Sequence, residues 1–96
     1  MSIDASLTLE VYGVDRKLPA IKCDYVRLPL AEDINGRFSG SCGIKKGHAK
    51  SALALGKGCI IATENGASVF ETEISGGFAL VNNNVVSVTA DSLNIK

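Results

Sequence analysis

The side chains that could carry out chemistry cluster in the middle of the chain. Cys42 and His48 could form half of a zinc site or a thiol and base pair, because zinc prefers thiolate and imidazole ligands. His48 is the only histidine, and the cysteines show no paired spacing, whereas zinc needs several convergent ligands. We therefore expect His48 to bond to backbone and Cys42 to pack as a small apolar residue, and we predict no catalytic and no metal-binding residue.

The same region is rich in glycine and lysine, as phosphate-binding loops are, but it lacks their motif. The chain contains no G-x-x-x-x-G-K-[ST] run, and no clear strand and helix flank the stretch. Lys45, Lys46, Lys50 and Lys57 could form a local basic patch for phosphate or for an acidic protein surface, or simply an ordinary solvated loop face. The sequence leaves these alternatives open.

Two carboxylates, Glu71 and Glu73, are spaced two residues apart in a β-like segment. Alternation along a strand places them side by side on one face rather than across a cleft. General acid and base catalysis needs two groups held in different environments, so we interpret these carboxylates as solubilising.

Composition narrows the classes of partner. Ten Lys and Arg balance ten Asp and Glu, and a net charge of zero gives no global field for nucleic acid or an anionic lipid surface. The chain has an odd number of cysteines, three, which favours free thiols and a protein of a reducing compartment. The first residues lack the pattern of a signal peptide, and no apolar run is long enough to span a membrane. We expect a single domain, residues 1–96, without direct membrane insertion and without nucleic acid.

The apolar pattern predicts an all-β chain. Leu7, Leu9 and Val11 alternate with polar residues, which is typical of a half-buried strand. Ile21 and Cys23 share one phase of alternation, and the apolar residues after them share the other. This slip near Asp24 predicts a bulge or a break between two short strands.

A high density of glycines predicts one irregular segment. Residues 31–47 hold four glycines, including Gly36 and Gly47, and we expect no regular element there. Residues 48–55 have fair helix propensity, but flanking glycines limit a helix to about two turns, so we favour a strand. Residues 59–63 form a short apolar run that suits a strand covered on both faces.

Turn residues divide the second half of the chain. Asn65 and Gly66 predict a two-residue hairpin, because both residues readily adopt positive φ. Gly76 and Gly77 make a break, residues 82–84 make another turn, and residues 85–90 form a strand that we expect to be the last. Together these signals predict a two-sheet β-sandwich of about ten short strands.

Several segments match one known family in order and spacing. Residues 40–49, GSCGIKKGHA, resemble the GxxGhxxGHA loop of the epsilon subunit of F-type ATP synthases, the subunit called delta in mitochondria. Residues 74–81 resemble the family's gly-gly-phe strand, and residues 84–91 resemble its closing valine strand. Residues 7–11, 15–18 and 25–29 resemble its opening strands and turn. The resemblance covers nearly the whole chain and implies the family's amino-terminal β-sandwich.

The resemblance implies a function as a non-catalytic subunit of the central stalk. Such a subunit links gamma to the ring of c subunits, and couples proton or sodium transport to ATP synthesis or hydrolysis from the inner face of the bacterial membrane. On this basis we expect residues 33–48 to form a loop that faces these partners. The implied contact residues are Asp33, Arg37, Ser41, Lys45, Lys46 and His48, and the implied structural glycines are Gly40, Gly43, Gly47, Gly76 and Gly77.

Departures from the family concern the same loop and the carboxyl end. Lys46 and Lys50 stand where the family usually has proline, and residues 31–38 look longer than usual. The family continues into a helical hairpin, whereas this sequence ends at Lys96, so we expect no cofactor and no bound nucleotide. An alternative function is a non-catalytic interaction module of another assembly, related to epsilon.

Overall fold

The computed structural model describes residues 7–14, 16–31 and 40–95. These residues form β-strands and no helix, so none of them belongs to a helix that could span a membrane. The strands are β1 (Leu7–Tyr12), β2 (Ile21–Cys23), β3 (Tyr25–Pro29), β4 (Ser41–Lys45), β5 (Ser51–Leu55), β6 (Gly58–Glu64), β7 (Ala67–Ile74), β8 (Gly77–Asn82), β9 (Val85–Ala90) and β10 (Leu93–Ile95).

The strands pair into two five-stranded sheets. The first has the order β2-β1-β9-β8-β5, and the second has the order β10-β7-β6-β3-β4. Neighbouring strands are antiparallel except for β1 and β9, which are parallel. The predicted two-sheet β-sandwich is confirmed.

One hydrophobic core lies between the sheets. The inward positions of β1 alternate strictly, so that Leu7, Leu9 and Val11 are buried while the residues between them are half-buried. Ile44 and Ile60 from the second sheet join the same cluster. Full burial of each such aliphatic side chain stabilises the fold by roughly 1.5–3 kcal/mol. The core therefore fixes which face of each strand is left for partners.

The slip in apolar phase at Asp24 marks a passage between sheets. β2 belongs to the first sheet and β3 to the second, and Asp24 lies between them. The backbone N–H of Asp24 donates to the carbonyl oxygen of Thr63 at 3.0 Å. The predicted break is confirmed, and its physical reason is that each strand buries its apolar residues from the opposite side of one core.

The predicted hairpin at Asn65 and Gly66 is confirmed. Both residues have positive φ, 54° and 82°, as a type I′ turn between β6 and β7 requires. The turn between β8 and β9 uses the same geometry with two asparagines, Asn83 at 53° and Asn84 at 64°. Asparagine tolerates this backbone region better than other residues with a side chain.

Three expectations about single segments were wrong. Residues 31–47 are not wholly irregular, because residues 41–45 form β4, where Cys42 and Ile44 face the core. Residues 85–90 are not the last strand, because β10 follows and pairs with β7. The run at residues 59–63 is fully buried on one face only, at Ile60 and Ala62. The preference for a strand within residues 48–55 is confirmed by β5.

Candidate partner-binding surfaces

Strand β4 divides the predicted contact loop into two separate surfaces. Ser41 begins this strand and Lys45 ends it, and four residue steps of a strand span roughly 13 Å. Ser41 therefore lies at one end of the sandwich, whereas Lys45, Lys46 and His48 lie at the other. The expectation of one continuous loop over residues 33–48 is wrong, because Cys42 and Ile44 draw the chain into the second sheet.

The other predicted contact residues cannot be placed on either surface. Asp33 and Arg37 lie outside the described residues. Their assignment to a partner contact stays a prediction.

The residues that follow β4 form a tight turn with a basic surface. We call residues 45–50 the basic turn. The backbone N–H of His48 donates to the carbonyl oxygen of Lys45 at 3.1 Å, and Gly47 has a φ of 84°. A turn with positive φ at its third residue but not at its second is a type II turn, and this type favours glycine at the third residue. Lys45, Lys46 and Lys50 are exposed, so the turn presents three ammonium groups to solvent.

A hydrogen bond joins the basic turn to the opposite sheet. The backbone N–H of Gly47 donates to Oδ1 of Asn84 at 2.8 Å. Asn84 lies in the turn between β8 and β9, and its carbonyl oxygen accepts from the N–H of Thr8 at 2.9 Å. The basic turn is thus anchored to both sheets, because β4 belongs to one and Asn84 lies between strands of the other.

The local geometry of His48 and Cys42 points to structural roles. Nδ1 of His48 lies 2.8 Å from the carbonyl oxygen of Ala49, which requires the ring to donate from Nδ1. Cys42 is half-buried and packs against the core. Within residues 7–14, 16–31 and 40–95, no group of three or more His, Cys, Asp or Glu could hold a metal ion.

Ser41 belongs to a shallow cleft at the other end of the sandwich. Nε of Arg27 donates to Oγ of Ser41 at 3.0 Å, so the serine positions the guanidinium group. The cleft has a volume of about 390 Å³ and also includes Lys57 and Cys59. The sequence left open a basic patch that included Lys57, but Lys57 follows β5 and lies at the end of that strand away from the basic turn.

An apolar patch on the outer face of the first sheet was missed from the sequence. Phe78 is 48% exposed and Leu80 is 50% exposed, and their partners across β5 are Ala54 and Ala52. These alanines are exposed too. We call these four residues the apolar patch. A signal existed, because both phases of the run Phe78 to Val81 are apolar and only one phase can face the core.

A side chain at either of two predicted structural glycines would meet a close neighbour. A Cβ on Gly43 would collide with the ring of Tyr25, which covers this glycine on the outer face of the second sheet. A Cβ on Gly77 would collide with the carbonyl oxygen of Thr89 and would lie 3.0 Å from Cα of Ala90. The Tyr25 ring can move aside to admit a side chain at position 43, whereas the neighbours of Gly77 are backbone atoms of β9 and cannot.

The remaining predicted glycines are less constrained by their neighbours. Among the described residues, none apart from the chain neighbours has an atom within 4 Å of a Cβ built on Gly40, which precedes β4, or on Gly47. Gly76 accepts a backbone hydrogen bond from Asp91 at 3.0 Å, and its nearest neighbour for a Cβ is the Asp91 carboxylate at 3.3 Å.

Comparison with known proteins by family and by sequence points to one family. The family described as ATP synthase, Delta/Epsilon chain, beta-sandwich domain matches residues 6–95. An ATP synthase epsilon chain from Maridesulfovibrio salexigens is 36% identical over 87 residues, which cover 91% of this chain and 56% of that protein.

Solved structures give the same fold. A chain in the Euglena gracilis mitochondrial ATP synthase (OSCP/F1/c-ring) matches with a TM-score of 0.79 and 23% identity, over 99% of this chain and 56% of that one. A chain in the central stalk/c-ring structure of the Tetrahymena thermophila mitochondrial ATP synthase matches with a TM-score of 0.68 and 12% identity, over 90% and 63%. The chain thus spans a little over half the length of these relatives.

Proposed function

Because the chain belongs to the family of the ATP synthase delta/epsilon chain β-sandwich domain, we propose that it acts in the central stalk of an F-type ATP synthase. It links the gamma subunit to the ring of c subunits, and so couples proton or sodium transport to ATP synthesis or hydrolysis. It carries no catalytic residue and works at the inner face of the bacterial membrane as a peripheral part of the synthase.

The separation of two contact surfaces by one stiff strand carries this proposal. The basic turn and the Arg27–Ser41 cleft lie at opposite ends of β4, and both sheets pack on one core between them. A close-packed interior resists deformation, so force applied at one end reaches the other. A body of this kind can hold two different subunits and transmit torque between them.

The apolar patch supplies a third surface suited to a protein partner. Interfaces between proteins are enriched in aromatic residues at their centre, and Phe78 lies half-exposed beside Leu80. Small side chains at Ala52 and Ala54 flank them, so a partner could approach closely.

The proposal is tested in synthase vesicles stripped of their own delta/epsilon chain. Adding this chain is expected to restore ATP-driven ion pumping per ATP hydrolysed. Replacing residues 45–50 by a Gly-Ser tract is expected to lower that ratio, while the same replacement at Asn65 and Gly66 serves as the matched control. Vesicles that pump equally well with and without the chain would contradict the proposal.

The alternative of a module in another assembly has no observation of its own in its favour. Its basis was the exchange of two prolines for Lys46 and Lys50 together with a longer stretch at residues 31–38, of which residues 32–38 lie outside the described residues. Lys46 occupies the second position of a type II turn, which proline favours but does not require. The exchange is therefore compatible with an unchanged loop geometry.

A further inference from the structure

The tip of the β6–β7 hairpin carries a residue pair whose chemistry the proposed function does not use. Asn65 is followed by Gly66, and both residues are exposed. We propose that Asn65 is a site of spontaneous deamidation in the folded chain, at which the backbone nitrogen of Gly66 displaces the side-chain amide and converts this asparagine to aspartate or isoaspartate. This chemistry needs no partner and does not depend on a role in the central stalk.

The reaction needs only solvent water as a co-reactant. The Gly66 nitrogen attacks Cγ of Asn65 and closes a five-membered imide ring, while the bond from Cγ to the side-chain nitrogen breaks and ammonia leaves with the proton of the Gly66 amide. Water then opens the ring. Cleavage between the imide nitrogen and Cγ gives aspartate, whereas cleavage between that nitrogen and the backbone carbonyl carbon gives isoaspartate. One amide thus becomes one carboxylate in either product.

The attacking nitrogen is accessible in this turn. The closing hydrogen bond of a two-residue turn joins the residues on either side, here Glu64 and Ala67, so it does not use the Gly66 nitrogen. Gly66 has no side chain to shield that nitrogen. Among the described residues, none apart from its chain neighbours has an atom within 4 Å of the position that a Cβ would take. The described part of the chain therefore leaves the approach to the nitrogen open.

The turn must open briefly for the ring to close. Asn65 is held at a φ of 54°, and its N–H donates to Oδ2 of Asp24 at 2.9 Å, whereas ring closure needs rotation about the Cα–C bond of Asn65. Glu64 and residues 67–69 are exposed, and the pairing of β6 with β7 shifts register after Ala62. A tip with few buried contacts opens locally at a lower free energy than the sandwich unfolds.

The turn between β8 and β9 provides a comparison within the same chain. Asn83 and Asn84 also have positive φ, 53° and 64°. Asn84 is followed by the β-branched Val85, whose side chain hinders attack by its own nitrogen, and Oδ1 of Asn84 accepts the hydrogen bond from Gly47. Asn83 is likewise followed by a residue with a side chain. We expect both asparagines to stay unmodified while Asn65 reacts.

Either product alters the tip of the hairpin. The chain gains one negative charge from its net charge of zero, and the new carboxylate stands beside Asp24, which already bonds to the N–H of the same residue. Like charges at this separation repel. Isoaspartate also adds one carbon to the backbone of a two-residue turn, so β6 and β7 can no longer close with the same register there.

The test incubates the whole folded chain in mildly alkaline buffer and follows the acidic species by isoelectric focusing. Digestion after glutamate separates Asn65 from Asn83 and Asn84, so mass spectrometry of the peptides locates the product, and protein-isoaspartate methyltransferase detects isoaspartate. Only the peptide with Asn65 should gain mass. Asn65→Gly should abolish the acidic species, because Gly-Gly also suits this turn, whereas Asn83→Gly should leave its rate of formation unchanged.

Urea at concentrations below the unfolding transition separates opening of the tip from unfolding of the sandwich. The rate of product formation at Asn65 should stay nearly constant over this range. A rate that rises in proportion to the unfolded fraction would show that Asn65 reacts only in the unfolded chain, and would overturn the proposal. Absence of product at Asn65, or equal product at Asn83 and Asn84, would overturn it as well.

Discussion

The backbone N–H of Gly47 donates a hydrogen bond of 2.8 Å to Oδ1 of Asn84, although 37 residues separate them in sequence. This bond ties the loop after β4 to the turn between β8 and β9. It is a contact between two exposed turns, so it stabilises loop position more than it adds to the core.

Removing the Asn84 side chain should destabilise the fold without straining its backbone. Asn84 has a φ of 64°, which glycine adopts freely, so Asn84→Gly deletes the acceptor and keeps the turn. We expect a loss of about 0.5–1.5 kcal/mol in the free energy of unfolding, measured by urea denaturation.

Asn83→Gly is the matched control, because Asn83 has a similar φ of 53° in the same turn. Its effect should stay within about 0.5 kcal/mol. Equal effects of the two substitutions would show that the bond to Gly47 contributes nothing measurable.

Thr72 offers a stabilising substitution. Its side chain is 0% exposed, and Oγ1 finds no hydrogen-bond partner in the described part of the chain. Thr72→Val removes an unpaired buried hydroxyl at nearly constant size, so we expect a gain of about 1 kcal/mol in the free energy of unfolding. Thr89→Val, at an exposed position of β9, should change it by less than about 0.5 kcal/mol. A lower midpoint for Thr72→Val would mean that the hydroxyl is paired in solution.

Gly76, just before β8, and Gly77, its first residue, should differ in how well they tolerate replacement by alanine. Gly77→Ala places a methyl group against the Thr89 carbonyl and Ala90, which are backbone atoms of the paired strand β9 and cannot rotate away. We expect a loss of roughly 1–3 kcal/mol. The methyl group of Gly76→Ala would lie 3.3 Å from the Asp91 carboxylate, which can rotate, and 3.7 Å from the Leu55 carbonyl oxygen, an ordinary contact, so thermal unfolding should shift little. Comparable losses for both variants would contradict this account of the close approach.

Cys23 should make stability depend on pH in the alkaline range. Burial raises the pKa of the Cys23 thiol above its ordinary value of 9.0, and Asp24 and Glu64 raise this pKa further, while a backbone hydrogen bond from Tyr25 opposes them. Below pH 9.0 both states keep the proton, so stability does not change through this group. As pH rises further, the unfolded chain loses the proton first, and stability falls until the folded thiol also ionises.

The measurement compares urea midpoints from about pH 8 to about pH 10 for the wild-type chain and Cys23→Ala. The wild-type midpoint should fall more steeply than that of Cys23→Ala, whereas Cys59→Ala should retain the steeper fall. Parallel curves for wild type and Cys23→Ala would show that Cys23 ionises alike in both states.

Much of the fold could be predicted from local sequence patterns. The alternation of Leu7, Leu9 and Val11 predicted β1, and Asn65 and Gly66 predicted a hairpin, because these patterns act within one strand or turn. β4 was missed because Gly43 lies at its centre, and the strand depends on pairing with β3 and on cover from Tyr25. Such support comes from residues distant in sequence, which periodicity within a segment does not report.

The candidate site shows the same limit. Lys45, Lys46 and His48 were predicted as contacts from the family resemblance, and the structure places them in and beside one turn after β4. Their contact with a partner stays a prediction. Their separation from Ser41 follows from β4 and was not predicted. The bond between Gly47 and Asn84 could not be predicted, because it depends on how the two sheets are stacked.

A role in the central stalk is tested most directly by a calorimetric titration of the chain with the purified gamma subunit of the same organism. We expect saturable binding with one chain per gamma subunit, weakened by substitutions at Lys45, Lys46 and His48. Absence of heat and of co-elution at micromolar concentrations of both proteins would contradict a role in the central stalk.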